Sequence, residues 1–197
     1  MMHWFRSNKN YPGYYKEYLE KISDEGFSSE IISLDMETNG LNPKTADILS
    51  FGSVHLRSSK ILPKSEVHLF FNGSSISDES IVIHELFANT SNDVVGESLP
   101  ILLKEIGNHT ILGHYVEFDI TLINQQLKKY NLPKLKNPKL DTLNIAMKKD
   151  GIYDYRYASR DDYTLYALCN RYGIEVEFTH DALADAYLTA LLYLHLT

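Results

Sequence analysis

Cysteine is almost absent from this sequence. Cys169 is the single one in 197 residues, so no internal disulfide can staple the fold. Its setting in LYALCNRYGI reads as a small buried hydrophobe on a helix, since a reactive thiol needs exposure and a lowered pKa. No apolar run approaches the roughly 18 residues of a membrane span, and the opening MMHWFRSNKNYPGYYKEY has no signal-peptide core. The chain is therefore expected to be cytoplasmic and to have no membrane partner. Cations are in the minority, 19 Lys and Arg against 26 Asp and Glu for a net charge of −7. That balance argues against broad phosphate-backbone binding of the kind basic nucleic-acid proteins use. A nucleic-acid substrate then needs another source of attraction, which metal ions held by clustered carboxylates supply locally.

No repeat of fixed period and no low-complexity tract appears. With 44% hydrophobic and 23% charged residues, the composition is that of a soluble globular chain of one ordinary domain. Residues 1–29 read as an N-terminal extension: aromatic-rich, turn-prone at Pro12-Gly13, with a short amphipathic helix in YYKEYLEKI that ends near Gly26. The domain proper is expected over 30–197. EIISLDMET, residues 30–38, has the apolar, β-branched run of a buried strand, closed by the turn signal Asn39-Gly40. Two further strands follow, from Ala46 and from Ser65, with Lys60–Lys64 around Pro63 as the hairpin connection. Helices are expected at about 78–88 and 98–107, then a strand TILGHYV, then a helix from Glu117 to just before Pro133. Leu140–Lys149 reads as a short strand running into a helix, Asp161–Tyr172 as a helix stopped by Gly173, and Asp181–Leu196 as the last helix. Three strands followed by alternating helix and strand predict an α/β fold, a mixed sheet flanked by helices.

The chemistry concentrates in a few carboxylates. In a strand, residues i and i+2 project from one face, so Asp35 and Glu37 stand side by side at the C-terminal end of the first strand. A solvated acidic strand end is the plain alternative, but this pair lies in an apolar run where two unpaired charges are expensive to desolvate. Asp119 falls in the first turn of the helix after TILGHYV, where a helix dipole favours an anion; Glu117 is equally eligible on that ground. THDALADAYLTALLYL places His180 before a helix and Asp185 within it, beside the small residues Ala182, Ala186 and Thr189. A histidine in that position is ordinarily a cap or a surface residue. All the acidic candidates are oxygen donors, which selects hard cations such as Mg²⁺ or Mn²⁺ over zinc. Two divalent ions would offset four carboxylates and, about 4 Å apart, would stabilise the attacking and leaving oxygens of an in-line displacement.

LDMETNGL at 34–41, GHYVEFD at 113–119 and HDALAD at 180–185 resemble, in order, the three exonuclease motifs of the DEDDh (DnaQ-like) 3′–5′ exonucleases. That family includes the proofreading epsilon subunit of bacterial DNA polymerase III. The resemblance runs from about Glu30 to the C-terminus. It implies an RNase H-like fold with a five-stranded sheet, three antiparallel strands first and then parallel ones. It also implies metal-dependent release of nucleoside 5′-monophosphates from a 3′ end. By that resemblance Asp35, Glu37 and Asp185 hold one ion, Asp35 bridges to a second, Asp119 acts near the second through water, and His180 is the general base.

The resemblance further puts Thr38 and the backbone at Met36 against the terminal nucleotide and Leu41 as a wedge against its base, ordinary core packing being the alternative for Leu41. Asp141, in Leu140-Asp141-Thr142, is expected to be structural. Where relatives commonly have Asn after the Gly-His of the second motif, this chain has Tyr115. The partners implied are a nucleic-acid 3′ end, single-stranded or frayed DNA before RNA, and a polymerase or repair complex. A non-catalytic interaction module on the same fold is the competing class, with all five expected side chains arguing against it. Tyr153, Tyr155 and Tyr157 interleave with Arg156 and Arg160 in GIYDYRYASR. Such a stretch suits base stacking with phosphate contacts, or equally a loop with its aromatics turned inward.

Overall fold

The run IISLDMET forms β1 (Ile31–Thr38), its burial spread over both faces as a central strand requires. The structure is a computed structural model and describes residues 10–62, 64–70, 94–176 and 180–197, with the backbone alone at 94–97. Among the described residues five further strands join β1: β2 (Ile48–Arg57), β3 (Lys60–Ile61), β4 (Val67–Phe70), β5 (Thr110–Gly113) and β6 (Lys139–Asp141). The sheet order is β3-β2-β1-β5-β6, with β4 also paired to β2. β1 runs antiparallel to β2, Ile31 opposite Leu56 and Asp35 opposite Gly52, and parallel to β5, Ile31 opposite Thr110. β5 and β6 are also parallel. The mixed sheet, antiparallel first and parallel after, is the expected architecture with one strand added.

The extra strand is the two-residue β3. Its hairpin turns at Ser58 and Ser59, both at positive φ (50° and 58°), so the turn lies before the Lys60–Lys64 connection read from the sequence. Two φ-positive residues suit the twist of a tight hairpin, but Ser-Ser lacks the Asn-Gly signature that announces one.

Among the described residues six α-helices cover the sheet: α1 (Gly13–Glu25), α2 (Val94–Ile106), α3 (Glu117–Lys129), α4 (Thr142–Lys149), α5 (Leu165–Arg171) and α6 (Ala182–Leu196). Ile32, Leu34 and Met36 alternate onto one face of β1 and pack with α1, α2 and α3 through Leu99, Leu102, Ile123 and Leu127. Each such side chain, taken out of water, contributes about 1.5–3 kcal/mol. Ser33 looks to the other face, where its hydroxyl donates to the Ala186 carbonyl of α6 at 2.8 Å. On that face α6 packs outward against α4 and α5 through Leu188, Leu192, Leu143 and Leu168. Cys169 is fully buried in this cluster, and burial pushes its thiol up to about 11, an inert setting as expected. No helix among the described residues is long and apolar enough to cross a membrane.

Several boundaries moved for physical reasons. α1 packs into the main core instead of standing off it: Tyr15 and Tyr18 are buried, and their hydroxyls bond Pro133 O (3.0 Å) and Asn137 Oδ1 (2.7 Å). The strand read as TILGHYV stops at Gly113, because Tyr115 adopts φ +60° and turns the chain into α3. The helix read over Asp161–Tyr172 is a 3₁₀ turn at Asp161–Tyr163 followed by α5, whose N-cap Thr164 accepts from the Ala167 amide. α2 begins at Val94, earlier than expected. The helix read at about 78–88 lies outside the described residues.

Candidate active site

Period-two alternation carries Asp35 and Glu37 onto the α6 face of β1, the same face as Ser33. Opposite Asp35, Gly52 lets α6 approach: a Cβ there would lie 2.2 Å from both the Ala182 carbonyl carbon and the Leu183 nitrogen. The first turn of α6 therefore rests on bare β2 backbone, and Asp185 comes up beside the two strand carboxylates. Asp181 caps this helix by accepting from the Ala184 amide (2.9 Å), and His180 before it holds φ +43°. Glu37, His180 and Asp185 each present one ligand atom, all within 4.8 Å of one another. His180 is exposed and Asp185 buried.

The first turn of α3 completes the cluster and separates two sequence candidates. Asp119 is buried, whereas Glu117 is exposed and ion-paired with Lys139. Asp119 also takes a hydrogen bond from the Met36 amide, which ties it to β1 between the two strand carboxylates. Burial raises Asp35 well above the ordinary carboxylate range, reinforced by repulsion from Asp119, Asp185, Glu37 and Asp181. Burial likewise lifts Asp119 to about 8, and Asp185 and Glu37 also move up. Like charges gathered under a protein surface call for a cation, and oxygen donors with one histidine fit a hard divalent ion. Bound there, divalent ions would neutralise the carboxylates and draw electron density from a phosphodiester.

Residues that the sequence reading passed over hold this cluster in place. Tyr166 on α5 donates its hydroxyl to both oxygens of Asp185, at 2.7 and 3.0 Å, and sets its ring edge-on to His180 with centroids 5.8 Å apart. Nothing in YTLYALCN announces that role. Gly52 did leave a signal: a glycine inside ILSFGSVHL marks close backbone approach in a strand. Asp141 accepts from the Leu143 and Tyr115 amides, 3.0 Å each, so its carboxylate caps α4 and holds the second-motif turn. Residue 115 is thereby held in the left-handed region, which Asn adopts more readily than a bulky residue such as Tyr. His114 is half-buried between the Thr142 hydroxyl and the Tyr163 carbonyl, and desolvation of its ring pushes it down to about 4.

Residues 32–193 match the RNase_T exonuclease family. The chain belongs to that family. The exonuclease is 31% identical over 180 residues to the epsilon subunit of DNA polymerase III from Buchnera aphidicola, covering 84% of this chain and 70% of that one. It is 28% identical to the epsilon subunit from Aquifex aeolicus, over 88% and 83% of the respective chains. A PolC-type DNA polymerase III from Ureaplasma parvum is 30% identical over 81% of this chain, which spans only 11% of that protein. Among solved structures, Escherichia coli exonuclease I with a dT13 oligonucleotide superposes with a TM-score of 0.60 at 20% identity, over 85% of this chain and 40% of that one. The fold is thus that of DnaQ-like 3′–5′ exonucleases, and this chain is an enzyme of that class.

Two expected results follow from the packing and the charge. Gly52→Ala forces a methyl group into the start of α6, so it should lower thermal stability by about 1–3 kcal/mol. It should also cut exonuclease activity by roughly 10²-fold, because His180 and Asp185 ride on the displaced turn; melting curves and initial rates check both.

The second result concerns pH. A carboxyl whose folded pKa is raised binds its proton more tightly folded than unfolded, so its stabilising contribution is full below the unfolded value near 4. That contribution is lost as pH rises toward about 8 at Asp119. In chelator, Asp119→Asn should therefore be more stable than wild type at pH 8, and the difference should vanish toward pH 4. Comparing the two melts cancels His114, which acts in the opposite direction. A difference independent of pH would contradict the assignment.

Proposed function

We propose that this exonuclease removes nucleoside 5′-monophosphates one at a time from the 3′ end of single-stranded or frayed DNA, in a proofreading or repair setting, by a two-metal mechanism. The observation that carries the reading is the convergence of Asp35, Glu37, Asp119 and Asp185, with His180 beside them, on one end of the sheet. In this scheme Asp35, Glu37 and Asp185 would hold one Mg²⁺ or Mn²⁺ and Asp35 with Asp119 a second, and these ions would supply charge stabilisation to the phosphodiester. Tyr166 fixes the Asp185 carboxylate in the orientation it needs. His180, exposed at the mouth of the cluster, accepts the proton of the attacking water as the 3′-terminal phosphodiester is cleaved.

Surface features support a nucleic-acid 3′ end as the substrate. Leu41 is 96% exposed, so core packing does not account for it, and a wedge against the terminal base does. The Thr38 hydroxyl donates to the Gly40 carbonyl at 2.8 Å, which shapes the turn that presents Leu41, and Met36 supplies backbone to the same corner. Tyr153 and Tyr157 are 82% and 80% exposed, and Tyr155 stacks with Tyr115 at 6.4 Å, offering flat surfaces for bases. Arg156 is clasped by Asp154, so this loop favours stacking over phosphate attraction. Incubation with 5′-labelled single-stranded DNA and RNA, with Mg²⁺, Mn²⁺ or chelator, tests the proposal. Stepwise shortening from the 3′ end in metal, faster on DNA, is expected. Absence of metal-dependent shortening on either polymer would sink the proposal, and faster RNA cleavage would move the substrate.

A further inference from the structure

At the opposite end of the sheet lies a second convergence of metal-ligating side chains, unrelated to the exonuclease cluster. Glu30 immediately precedes β1, His55 lies near the end of β2, and His109 immediately precedes β5. The pairings Ile31 with Leu56 and with Thr110 draw all three together. Each presents one ligand atom, and these atoms lie within 4.8 Å of one another. The two imidazoles meet edge to face, centroids 4.9 Å apart at 90°. Glu105, on the last turn of α2, stands 2.7 Å from His55 Nε2. Glu30 is five residues from Asp35 along an extended chain, about 16 Å at 3.3 Å per residue.

Two features point to a ligand. His109 Nδ1 is buried and has no hydrogen-bond partner, although a buried polar atom ordinarily finds one. In addition, a carboxylate on one nitrogen of a histidine is the usual support for a ring that gives its other nitrogen to a metal, and Glu105 stands in that relation to His55. We propose that Glu30, His55, His109 and Glu105 form a structural site for a transition-metal dication of the Zn²⁺ type. Two imidazoles with carboxylates suit zinc, whereas the cluster at the other end, four carboxylates with one histidine, suits magnesium. The two carboxylates balance the ion's charge. Arg57, which pairs with Glu30, is exposed and on a flexible stem, and such an ion pair is a weak competitor for the carboxylate. Lys21 is the other cation influencing His109. An ion held here would pin the starts of β1 and β5 and the end of β2 to α2.

The test counts Zn²⁺ in a chain whose catalytic cluster has been emptied. Asp35→Ala/Asp185→Ala protein should bind one equivalent of Zn²⁺ in equilibrium dialysis and melt at a higher temperature with it. Adding His109→Ala or, as a shape-preserving alternative, Glu30→Gln should abolish that equivalent, while Arg57→Ala should strengthen binding several-fold by freeing Glu30. Circular dichroism verifies that each variant is folded. No bound Zn²⁺ in the Asp35→Ala/Asp185→Ala protein would overturn the site, as would equal binding after Glu30→Gln. The outcome does not touch the exonuclease reading, which the oligonucleotide assay judges in otherwise wild-type protein with Mg²⁺.

Discussion

Replacing Asp35 by Ala should lower the rate of 3′-terminal cleavage by roughly 10³-fold or more while leaving the metal-free protein at least as stable as wild type. The rate follows from position. Asp35 is the carboxylate whose charge is felt with Asp119, Asp185 and Glu37 together, and the proposed scheme gives it a share in both ions. Each tenfold in rate is about 1.4 kcal/mol, and charge stabilisation by metal ions amounts to several kcal/mol. The stability half follows from cost, because Asp35 is held among like charges with burial opposing its ionisation. Deleting it relieves that repulsion in the absence of metal. Together the two results separate a functional carboxylate from a structural one, whose removal would lower activity by unfolding the chain. Initial rates in Mg²⁺ and melts in chelator supply both numbers. An Asp35→Ala protein that keeps near-wild-type rates would remove Asp35 from the ligand set.

His180→Ala should cut the rate by roughly 10²–10⁴-fold, the usual range for a general base, and leave divalent-ion affinity largely intact. His180 is exposed, stands with Glu37 and Asp185 within 4.8 Å, and is held at φ +43° by the turn that enters α6. A non-glycine residue held in such a conformation costs on the order of 1–3 kcal/mol, and strain of this kind is kept where surrounding structure enforces it. His180→Gly gives a sharp control, since glycine adopts positive φ freely. It should fold at least as stably as wild type yet be as inactive as the Ala variant. Rate loss accompanied by equal loss of Mn²⁺ binding would instead make His180 a ligand.

How much of this was visible in the sequence depended on whether a rule acts locally. Asp35 and Glu37 were legible because strand alternation alone puts them side by side, and the small residues of α6 announced a helix able to come close. Asp119 and Glu117 were equal in the sequence, as a helix dipole favours both; burial against β1 distinguishes them, and that is a tertiary fact. Tyr166 was invisible because it reaches Asp185 from another helix, across a packing no periodicity encodes. Gly52 was readable as a strand interruption, but what needed the space was α6, 130 residues later. The packing of the α1 tyrosines was not legible in the sequence because their partners, Pro133 and Asn137, lie more than 100 residues away. Tyr115 runs the other way: the departure was plain in the sequence, and its φ of +60° supplies the physical meaning.

That the carboxylate cluster is a divalent-cation centre is tested most directly by counting Mn²⁺. Wild-type and Asp35→Ala proteins would be titrated side by side with a nucleoside 5′-monophosphate present, following free Mn²⁺ by electron paramagnetic resonance. Wild type should hold two more Mn²⁺ per chain than the variant. Equal binding by the two proteins would contradict the assignment of this cluster as the exonuclease's metal site.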